Sequence, residues 1–369
     1  MKLLIAGDFC PQQRVAELFE HGEYNAVLGE VKPIIEKVDY SIANFECAVT
    51  YGGEKPIEKC GPNLHCSKKG IEAVKWVGFN CLTLANNHFY DFGDKGVDNT
   101  LTACKEYGID TVGGGMNIQE ASKVFYKTIN GQTLAIINCC EHEFSIATDT
   151  SGGSNPLNPI QQYYSIHEAR KNADFVLVIV HGGHEHYQLP SLRMQETYRF
   201  FIDAGADAVI NHHQHCFSGY EMYNGKPIFY GLGNFCFDEI ENQNGMWNDG
   251  FMLIMELESD IKIEIIPYVQ CAENPAISWM KSNCLFEEKL NELNRIIADG
   301  EKLSKKQKDY YESFEIPCKL IIEPFNIRLV KALQRRKIIP FFFSKRFKLK
   351  LYNYIVCESH REKMIFNLH

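Results

Sequence analysis

The amino-acid sequence predicts an α/β fold, because strand-like apolar runs alternate with segments that carry apolar residues at helical spacing. Most of the runs are continuously apolar, as expected for strands that are buried on both faces of a sheet. The predicted strands are Leu3–Ala6, Tyr40–Phe45, Cys81–Ala85, Leu134–Cys139, Phe175–Val180, Ala208–Ile210, Ile228–Leu232 and Phe251–Leu257. The helices predicted between them are Ile71–Val77, Gly96–Tyr107, Ile166–Asn172 and Leu192–Ala204.

The pattern changes twice in the second half of the chain. From about residue 229 strands follow one another without helices, and Ile261–Val269 comes directly after Phe251–Leu257, which indicates an antiparallel or mixed addition to the sheet. Beyond Pro275 an amphipathic helix over Leu285–Ile297 precedes a basic, aromatic segment. We therefore predict a first domain at residues 1–275 and a mostly helical, basic C-terminal extension at residues 280–369.

Charge is distributed unevenly along the chain. Between Arg328 and Lys363 there are 11 Lys or Arg residues against two Glu, whereas the rest of the chain carries 27 basic and 45 acidic residues. An acidic body argues against nucleic acid as a partner, because phosphate binding requires a basic face. Basic residues beside Phe341–Phe343 suit peripheral contact of residues 328–369 with an anionic membrane surface. The alternative is a docked helical appendage whose Phe side chains cover the core.

The N-terminus and the cysteines bear on the location of the protein. The first apolar run stops at Gly7-Asp8, which predicts a strand rather than a secretory signal, and no apolar stretch reaches the length of a membrane span. The chain has 14 Cys, and without a secretory signal we expect these to be reduced thiols; none forms a paired C-x-x-C zinc pattern. These features predict a cytoplasmic protein, with the inner membrane face as the site of any peripheral contact.

Polar side chains follow seven successive predicted strands. They are Asp8, Asn44 and Glu46, Asn86 to His88, Asn138 with Glu141 and His142, His181 and His184, Asn211 to His213 with His215, and Asn234. The carboxyl ends of parallel strands meet at one edge of a sheet, so we expect these groups to converge. Imidazole and carboxylate donors together suit zinc, iron or manganese. The sequence therefore predicts a site for one or two divalent metal ions.

Each candidate ligand also has a purely structural interpretation. Asp8 could cap the next helix, Asn87 could serve as a turn residue, and His181 could be a hydrogen-bonded core histidine. His213 and His215 could belong to a surface histidine cluster, but two residues apart they point to the same side of an extended chain. Their shared position after apolar strands favours the metal site.

Taken in order, these motifs resemble the CapA family, the poly-γ-glutamate capsule-synthesis proteins that are related to calcineurin-like metallophosphatases. The resemblance covers roughly residues 1–270. The motifs that carry it are Gly7-Asp8, Asn44-Phe45-Glu46, Leu84 to His88 with Asp91 and Gly93, Gly96 with Thr100, His181-Gly182-Gly183-His184-Glu185, Ala204 to Asp207, His212 to His215, and Tyr230 to Phe235.

The resemblance implies a metallophosphatase-like α/β/β/α sandwich of two mixed sheets and assigns roles to individual residues. The implied metal ligands are Asp8, Glu46, Asn87, His181, His213 and His215. His88 would lie beside the metals and either protonate a leaving oxygen or hold the substrate. Further candidate substrate contacts are Asn44, Asn86, Asp91, His184, Glu185, His212 and Asn234.

The chain departs from the related patterns at four positions. Cys10 stands where the phosphatases have a ligand histidine, unless its thiolate substitutes, and Glu46 stands where they have a bridging Asp. Gly182 and His186 replace the Trp and Tyr that are typical of CapA proteins.

Three functions remain open from the sequence. The first is a metal-dependent hydrolase or transferase that acts on a phosphate ester, a phosphoanhydride or an amide-linked anionic polymer alongside other capsule-synthesis proteins. The second is a non-catalytic metal-binding subunit that binds a polyanion or assembles a synthesis complex. The third is a phosphodiesterase unrelated to capsule.

Overall fold

The computed structural model describes residues 1–242, 245–258, 260–280, 282–321, 327–342 and 344–356. The strands are β1 (Lys2–Phe9), β2 (Tyr40–Phe45), β3 (Ala48–Val49), β4 (His65–Cys66), β5 (Cys81–Thr83), β6 (Asp110–Val112), β7 (Gly114–Gly115), β8 (Phe125–Ile129), β9 (Gln132–Cys140), β10 (Gly153–Ser154), β11 (Phe175–His181), β12 (Ala208–His212), β13 (Tyr220–Tyr223), β14 (Lys226–Phe229), β15 (Asn234–Cys236), β16 (Asp249–Glu256), β17 (Lys262–Gln270) and β18 (Ile277–Trp279).

Helices connect or flank these strands. They are α1 (Gln13–Glu20), α2 (Tyr24–Leu28), α3 (Lys32–Ile35), α4 (Lys69–Val77), α5 (Gly93–Glu106), α6 (Ile118–Ala121), α7 (Pro159–Asn172), α8 (Leu192–Asp203), α9 (Gly245–Asn248), α10 (Cys284–Ile297), α11 (Gly300–Ser313), α12 (Glu315–Ile321), α13 (Arg328–Arg335) and α14 (Lys345–Val356), with a 3₁₀ turn at Ile240–Asn242. A strand is found at each predicted run and a helix at each predicted helical segment, with ends shifted by a few residues.

The first sheet is mixed and has the strand order β18-β17-β16-β1-β2-β5-β6. Strands β1, β2, β5 and β6 are parallel, whereas β16, β17 and β18 are antiparallel additions, as the change of pattern near residue 229 predicts. Strand β15 pairs with the carboxyl end of β1. The register sets Asp8 opposite Asn44 on one side and opposite Asn234 on the other. Three candidate site residues therefore lie side by side at one edge of this sheet.

The second sheet has the order β13-β14-β12-β11-β9-β8. Its four central strands are parallel, and the two edge strands, β8 and β13, are antiparallel. His181 ends β11 and is in register with His212, the last residue of β12. This sheet therefore brings histidines together at its carboxyl edge.

Two apolar cores separate the layers. Side chains of β1 alternate between them, with Leu3 and Ile5 in one core and Leu4 and Ala6 in the other. The first core holds residues of both sheets and of α7, α8 and α10, and the second lies between the first sheet and α1, α2, α4 and α5. Burial of each large aliphatic side chain contributes about 1.5–3 kcal/mol. This layering confirms the predicted α/β/β/α arrangement.

Local sequence signals start and stop the covering helices. Asn158 caps α7 by accepting hydrogen bonds from the backbone N–H groups of residues 160 and 161, and Pro159 occupies the first turn. Ser191 caps α8 in the same way through the N–H of Met194. Helix α4 ends at Gly78, whose φ of 109° suits a glycine. These signals allow each helix to return the chain to the amino end of the next strand.

The chain divides into two compact units between Leu303 and Ser304. The first unit includes α10, which buries Phe286, Leu290 and Leu293 in the first core. The described part of the second unit is helical and carries exposed apolar side chains on α13 and α14, including Leu329 and Leu349. Phe343 and residues 357–369 of the predicted tail lie outside the described residues. Among the described helices, none combines the length and apolar character needed to cross a bilayer.

Candidate metal centre

Two carboxylates from the first sheet form the floor of the site. Asp8 is the penultimate residue of β1, and Glu46 follows β2, where its N–H donates to the carbonyl of Phe9 at 3.0 Å. Their residues are 1% and 0% exposed, respectively. Neither oxygen of the Glu46 carboxylate receives a hydrogen bond from the described residues. A buried carboxylate that receives no hydrogen bond is costly, and its position suits a cation ligand.

Histidines from the second sheet face these carboxylates. His181 Nε2 lies 3.3 Å from Glu46 Oε1, and His215 Nε2 lies 3.6 Å from the same oxygen. Asn87, which follows β5, places its Oδ1 2.9 Å from His181 Nε2. His213 Nδ1 is 3.1 Å from His181 Nε2. The structure thus brings all six predicted ligands into one buried cluster.

His213 and His215 reach the cluster by a route that differs from the expectation of an extended chain. Both have left-handed backbones, with φ of 93° and 52°. Such a conformation is strained for a side-chain-bearing residue and is retained mainly where function or packing requires it. Their rings still lie on the same side, with centroids 6.1 Å apart. The two rings are therefore close together, although the backbone is not the extended chain on which the prediction of a shared direction depended.

Within the described chain, three sets of side chains have ligand atoms that all lie within 4.8 Å of one another. The sets are Glu46 with His181 and His213, Asp8 with Glu46 and His215, and Glu185 with His213 and His215. Glu46 belongs to the first two sets. A shared carboxylate between two ligand groups is an arrangement that suits two neighbouring cations as well as one.

Burial controls the protonation states in this cluster. It raises the pKa of Asp8, an effect that the nearby Glu46 reinforces, and it raises the pKa of Glu46 against the opposing effect of His215. Burial also lowers the pKa values of His181 and His213 well below the usual range. Neutral imidazoles keep a lone pair for a metal ion. The donor set therefore fits divalent cations.

Three buried amides position the ligands. Asn44 Nδ2 donates to Asp8 Oδ1 at 2.8 Å, and Asn234 Oδ1 lies 2.9 Å from His215 Nδ1. Asn86 Nδ2 donates to the carbonyl of Phe45 at 2.8 Å, next to Glu46. We predicted these amides as substrate contacts, and in the structure these polar groups are engaged with ligand residues or with the backbone beside them.

His88 lies in a second network beside the ligands. Its Nδ1 is 2.7 Å from Asp91 Oδ2, which also accepts a hydrogen bond from the N–H of Leu64 at 2.6 Å. The Asp91 Oδ1 atom forms an ion pair with Lys59. Lys59 was not predicted, because it lies in a loop without strand or helix periodicity.

The remaining candidates differ in their exposure. Glu185 is exposed and His184 is half-buried, and burial lowers the pKa of His184. His212 is buried with its Nδ1 3.5 Å from Asp8 Oδ1, and burial lowers its pKa to about 3. Glu143 was missed, although its Oε1 lies 3.8 Å from His213 Nε2. The sequence signal that could have identified Glu143 was its position two residues after Glu141, among the polar residues that follow a predicted strand.

Glu141 and Cys10 belong to none of the ligand sets found among the described residues. Glu141 pairs with Arg193 instead. The Cys10 thiol accepts a hydrogen bond from Gln12 Nε2 at 3.4 Å, and burial raises its pKa.

Sequence relatives are found among proteins of capsule synthesis. The capsule biosynthesis protein CapA of Bacillus anthracis is 34% identical over 247 residues, which cover 65% of this chain and 60% of that protein. The PGA biosynthesis protein CapA of Bacillus subtilis strain 168 is 34% identical over 238 residues, which cover 63% and 62%. A probable polyglutamine synthesis accessory protein of Mycobacterium tuberculosis is 27% identical over 226 residues, which cover 56% and 58%. The chain spans about three-fifths of the length of these relatives.

Solved structures show only a distant likeness. A structure described as a novel phosphatase of Mycoplasma pneumoniae aligns with 73% of this chain and 93% of its own, at 16% identity and a TM-score of 0.47. A putative 5'-nucleotidase of Staphylococcus aureus aligns with 79% and 58%, at 12% identity and a TM-score of 0.44. Neither similarity is close enough to support an argument about function. The family model for the bacterial capsule synthesis protein PGA_cap, in contrast, matches residues 2–239, more than half of the sequence, and the chain therefore belongs to this family.

Proposed function

We propose that the protein is a metal-dependent hydrolase or transferase that acts in the synthesis of a capsule or a similar anionic polymer. The observation that carries this proposal is the buried Glu46 carboxylate, which has no hydrogen-bond partner among the described residues and is shared by two ligand sets. Family membership supports the biological context, and the names of the relatives refer to capsule and PGA biosynthesis.

The proposed ligands form two groups, one for each of two cations. Asp8, Glu46 and His215 would hold one ion, and Glu46, Asn87, His181 and His213 would hold the other, with zinc, manganese or iron as the candidate metals. A bound divalent cation would supply Lewis acidity toward a phosphoryl or carbonyl oxygen. The protein's own contributions are a buried, preorganised donor set and the imidazole of His88.

The proposed substrate is a phosphate-containing intermediate or an anionic, poly-γ-glutamate-like polymer. Four carboxyl groups lie in or beside the site, with Asp8 and Glu46 at its base and Glu143 and Glu185 beside His213. An anion would therefore be repelled unless bound cations reverse the local charge. We infer that metal loading precedes substrate binding and that other capsule-synthesis proteins deliver or receive the polymer.

Turnover provides the first test of the proposal. His88→Ala and His213→Ala should each abolish activity, the former because the group beside the reacting atoms is lost and the latter because a ligand is lost. Metal content by elemental analysis separates the two effects, since only the His213 variant should lose bound metal. A His88→Ala protein with full activity on its substrate would refute the role assigned to His88.

The alternative proposal is a non-catalytic metal-binding subunit that binds a polyanion or assembles a synthesis complex. The contacts of Cys10 favour this alternative. Its thiol accepts a hydrogen bond from Gln12 and belongs to none of the ligand sets, so one of the two proposed cation positions has three protein donors. Elemental analysis after reconstitution and assays with model phosphodiesters distinguish these proposals. Stoichiometric metal without turnover of any phosphodiester or polymer would favour the subunit, whereas turnover of phosphodiesters alone would indicate a phosphodiesterase unrelated to capsule.

We also propose a cytoplasmic location with peripheral contact at the inner membrane face. Exposed apolar side chains on α13 and α14, including Leu329 at 69% and Leu349 at 61% exposure, lie among basic residues. Such a combination favours an anionic lipid surface. Pelleting with vesicles that contain phosphatidylglycerol should depend on residues 328–369, and unchanged pelleting after their removal would exclude the membrane role.

A further inference from the structure

One of the three ligand sets has a member at the protein surface. Glu185 is exposed, whereas His213 and His215, which complete its set, are 5% and 6% exposed. We call these three residues the outer set. The members of the other two sets, the inner sets, are all buried. Of the ligand sets found in the described chain, the outer set is therefore the only one with a donor in contact with solvent.

The backbone holds Glu185 beside the two histidines. Glu185 directly precedes His186, whose N–H donates to the carbonyl of Gln214 at 2.8 Å. Gln214 lies between His213 and His215 in the sequence. This hydrogen bond ties the loop that follows β11 to the segment that carries both histidines. The place of Glu185 in the outer set is therefore fixed by the main chain and not only by its own side chain.

The outer set shares each of its histidines with an inner set. His213 also belongs to the set with Glu46 and His181, and His215 also belongs to the set with Asp8 and Glu46. Within every set all ligand atoms lie within 4.8 Å of one another. A cation held by the outer set therefore already contacts one residue of each inner set, and it can reach either inner set by an exchange of donors.

Burial of the inner carboxylates makes such a route useful. Asp8 and Glu46 are 1% and 0% exposed, so a hydrated cation must lose its water before it reaches them. Removal of an ion from water is costly unless other ligands replace the lost water. Carboxylate and imidazole donors both suit zinc and manganese, and an exposed carboxylate can replace the first water molecules while the ion is still partly hydrated.

We propose that Glu185, His213 and His215 form an entry site that receives a divalent cation from solvent and passes it to the inner sets. This inference rests on the metal centre of the proposed function and deepens it, because it assigns Glu185 to metal loading and not to contact with the substrate. Both histidines of the entry site are needed by the inner sets, so the entry site holds no ion once these are filled.

Binding kinetics test the entry site without any turnover. Full-length, chelator-treated protein is mixed with zinc and a zinc-responsive dye in a stopped-flow instrument, and release is measured with excess EDTA. A residue on the path of the ion affects binding and release equally. Glu185→Gln should therefore lower both rate constants about 10-fold, the effect of about 1.4 kcal/mol in a barrier, and leave Kd within about twofold. Glu185→Asp keeps the carboxylate and should recover most of both rates.

Glu143→Gln is the matched control for general attraction by negative charge. Glu143 Oε1 lies 3.8 Å from His213 Nε2, but Glu143 belongs to none of the ligand sets in the described chain. At 1 M ionic strength, where the screening length is about 3 Å, its loss should change the rates by less than about twofold. An equal slowing in Glu143→Gln and Glu185→Gln would indicate electrostatic attraction alone and would overturn the entry site.

Three other results would also overturn the proposal. They are unchanged rates in Glu185→Gln, a raised Kd with an unchanged rate of binding, which would make Glu185 a permanent ligand, and three zinc ions per wild-type chain by elemental analysis. Glu185→Ala replaces the glutamine variant if circular dichroism shows that the latter is unfolded. Zinc binding without turnover would count against the proposed hydrolase or transferase alone, whereas a wild type that binds no zinc would overturn both proposals.

Discussion

Replacement of Glu46 by Gln provides the sharpest test of the metal centre, because it changes charge with little change in shape. Both Glu46 oxygens are buried without hydrogen bonds from the described residues. An unsatisfied buried polar group costs about 1–3 kcal/mol, and more when charged. A cation that binds this carboxylate removes the penalty and binds only the folded state. Metal should therefore stabilise the wild type strongly.

The size of the effect follows from mass action. At a free metal concentration of about 100 times Kd, ligand binding stabilises the folded state by about 2.7 kcal/mol. Each kcal/mol shifts Tm by about 2 °C for a domain somewhat larger than 250 residues. We expect zinc or manganese to raise Tm of the wild type by about 5 °C. Glu46→Gln should lose most of this increase, because the substitution affects both of the ligand sets that contain Glu46.

Differential scanning fluorimetry of chelator-treated protein, with and without added metal, measures this shift. His142→Gln is a matched control, because His142 follows the same sheet edge but is exposed and belongs to none of the ligand sets in the described chain. The control should retain the full metal-dependent increase in Tm. An equal increase in Glu46→Gln and the wild type would refute the assignment of Glu46 as a ligand of either ion.

Three further predictions concern stability. Arg14→Met should lower the free energy of unfolding by about 3–5 kcal/mol in urea titrations, because it leaves the buried Asp238 carboxylate without its cationic partner. In the wild type, Asp238 Oδ2 accepts a hydrogen bond from Arg14 Nε at 2.9 Å. Burial raises the pKa of Asp249 to about 6. As the pH rises from 4 to 6, the free energy of unfolding of the wild type should therefore fall by at most about 3 kcal/mol relative to that of Asp249→Asn, because the folded protein holds this proton more tightly than the unfolded chain. An identical pH dependence of stability in the two proteins would contradict this prediction. Gly7→Ala should cost about 3 kcal/mol or more, because its Cβ would lie 1.8 Å from a backbone oxygen, whereas Gly300→Ala meets no atom within 4 Å and should be neutral.

The layered fold and most of the ligand cluster could be predicted from the sequence because both depend on short-range patterns. Apolar runs such as Phe175–Val180 are continuous, which marks them as central strands, and the polar residue after each run marks the carboxyl edge. The register of Asp8 with Asn44, and of His181 with His212, then follows from parallel pairing of neighbouring strands. Convergence of the site is a consequence of topology.

Loop geometry could not be predicted in the same way. Lys59 reaches His88 across 29 positions of sequence through a loop without periodicity, and only tertiary packing places them 3.2 Å apart. The left-handed backbones of His213 and His215 could not be predicted from the sequence either, since histidine does not require a positive φ. For Cys10 the sequence left thiolate coordination open, and the direction of the thiol depends on its contact with Gln12. Side-chain direction in loops is decided by neighbours that are remote in sequence.

The division of donors between the two sheets couples folding to function. Asp8 lies near the end of a strand of the first sheet and Glu46 and Asn87 follow strands of that sheet, whereas the three proposed ligand histidines come from the second sheet. The ligand set therefore exists only when the sheets are packed together over their shared apolar core. If the proposed ligands bind metal, the binding free energy would contribute to the association of the two sheets. It follows that a substitution in the core between the sheets should weaken metal affinity even when it touches no ligand, and that metal affinity reports on the packing of the whole first unit.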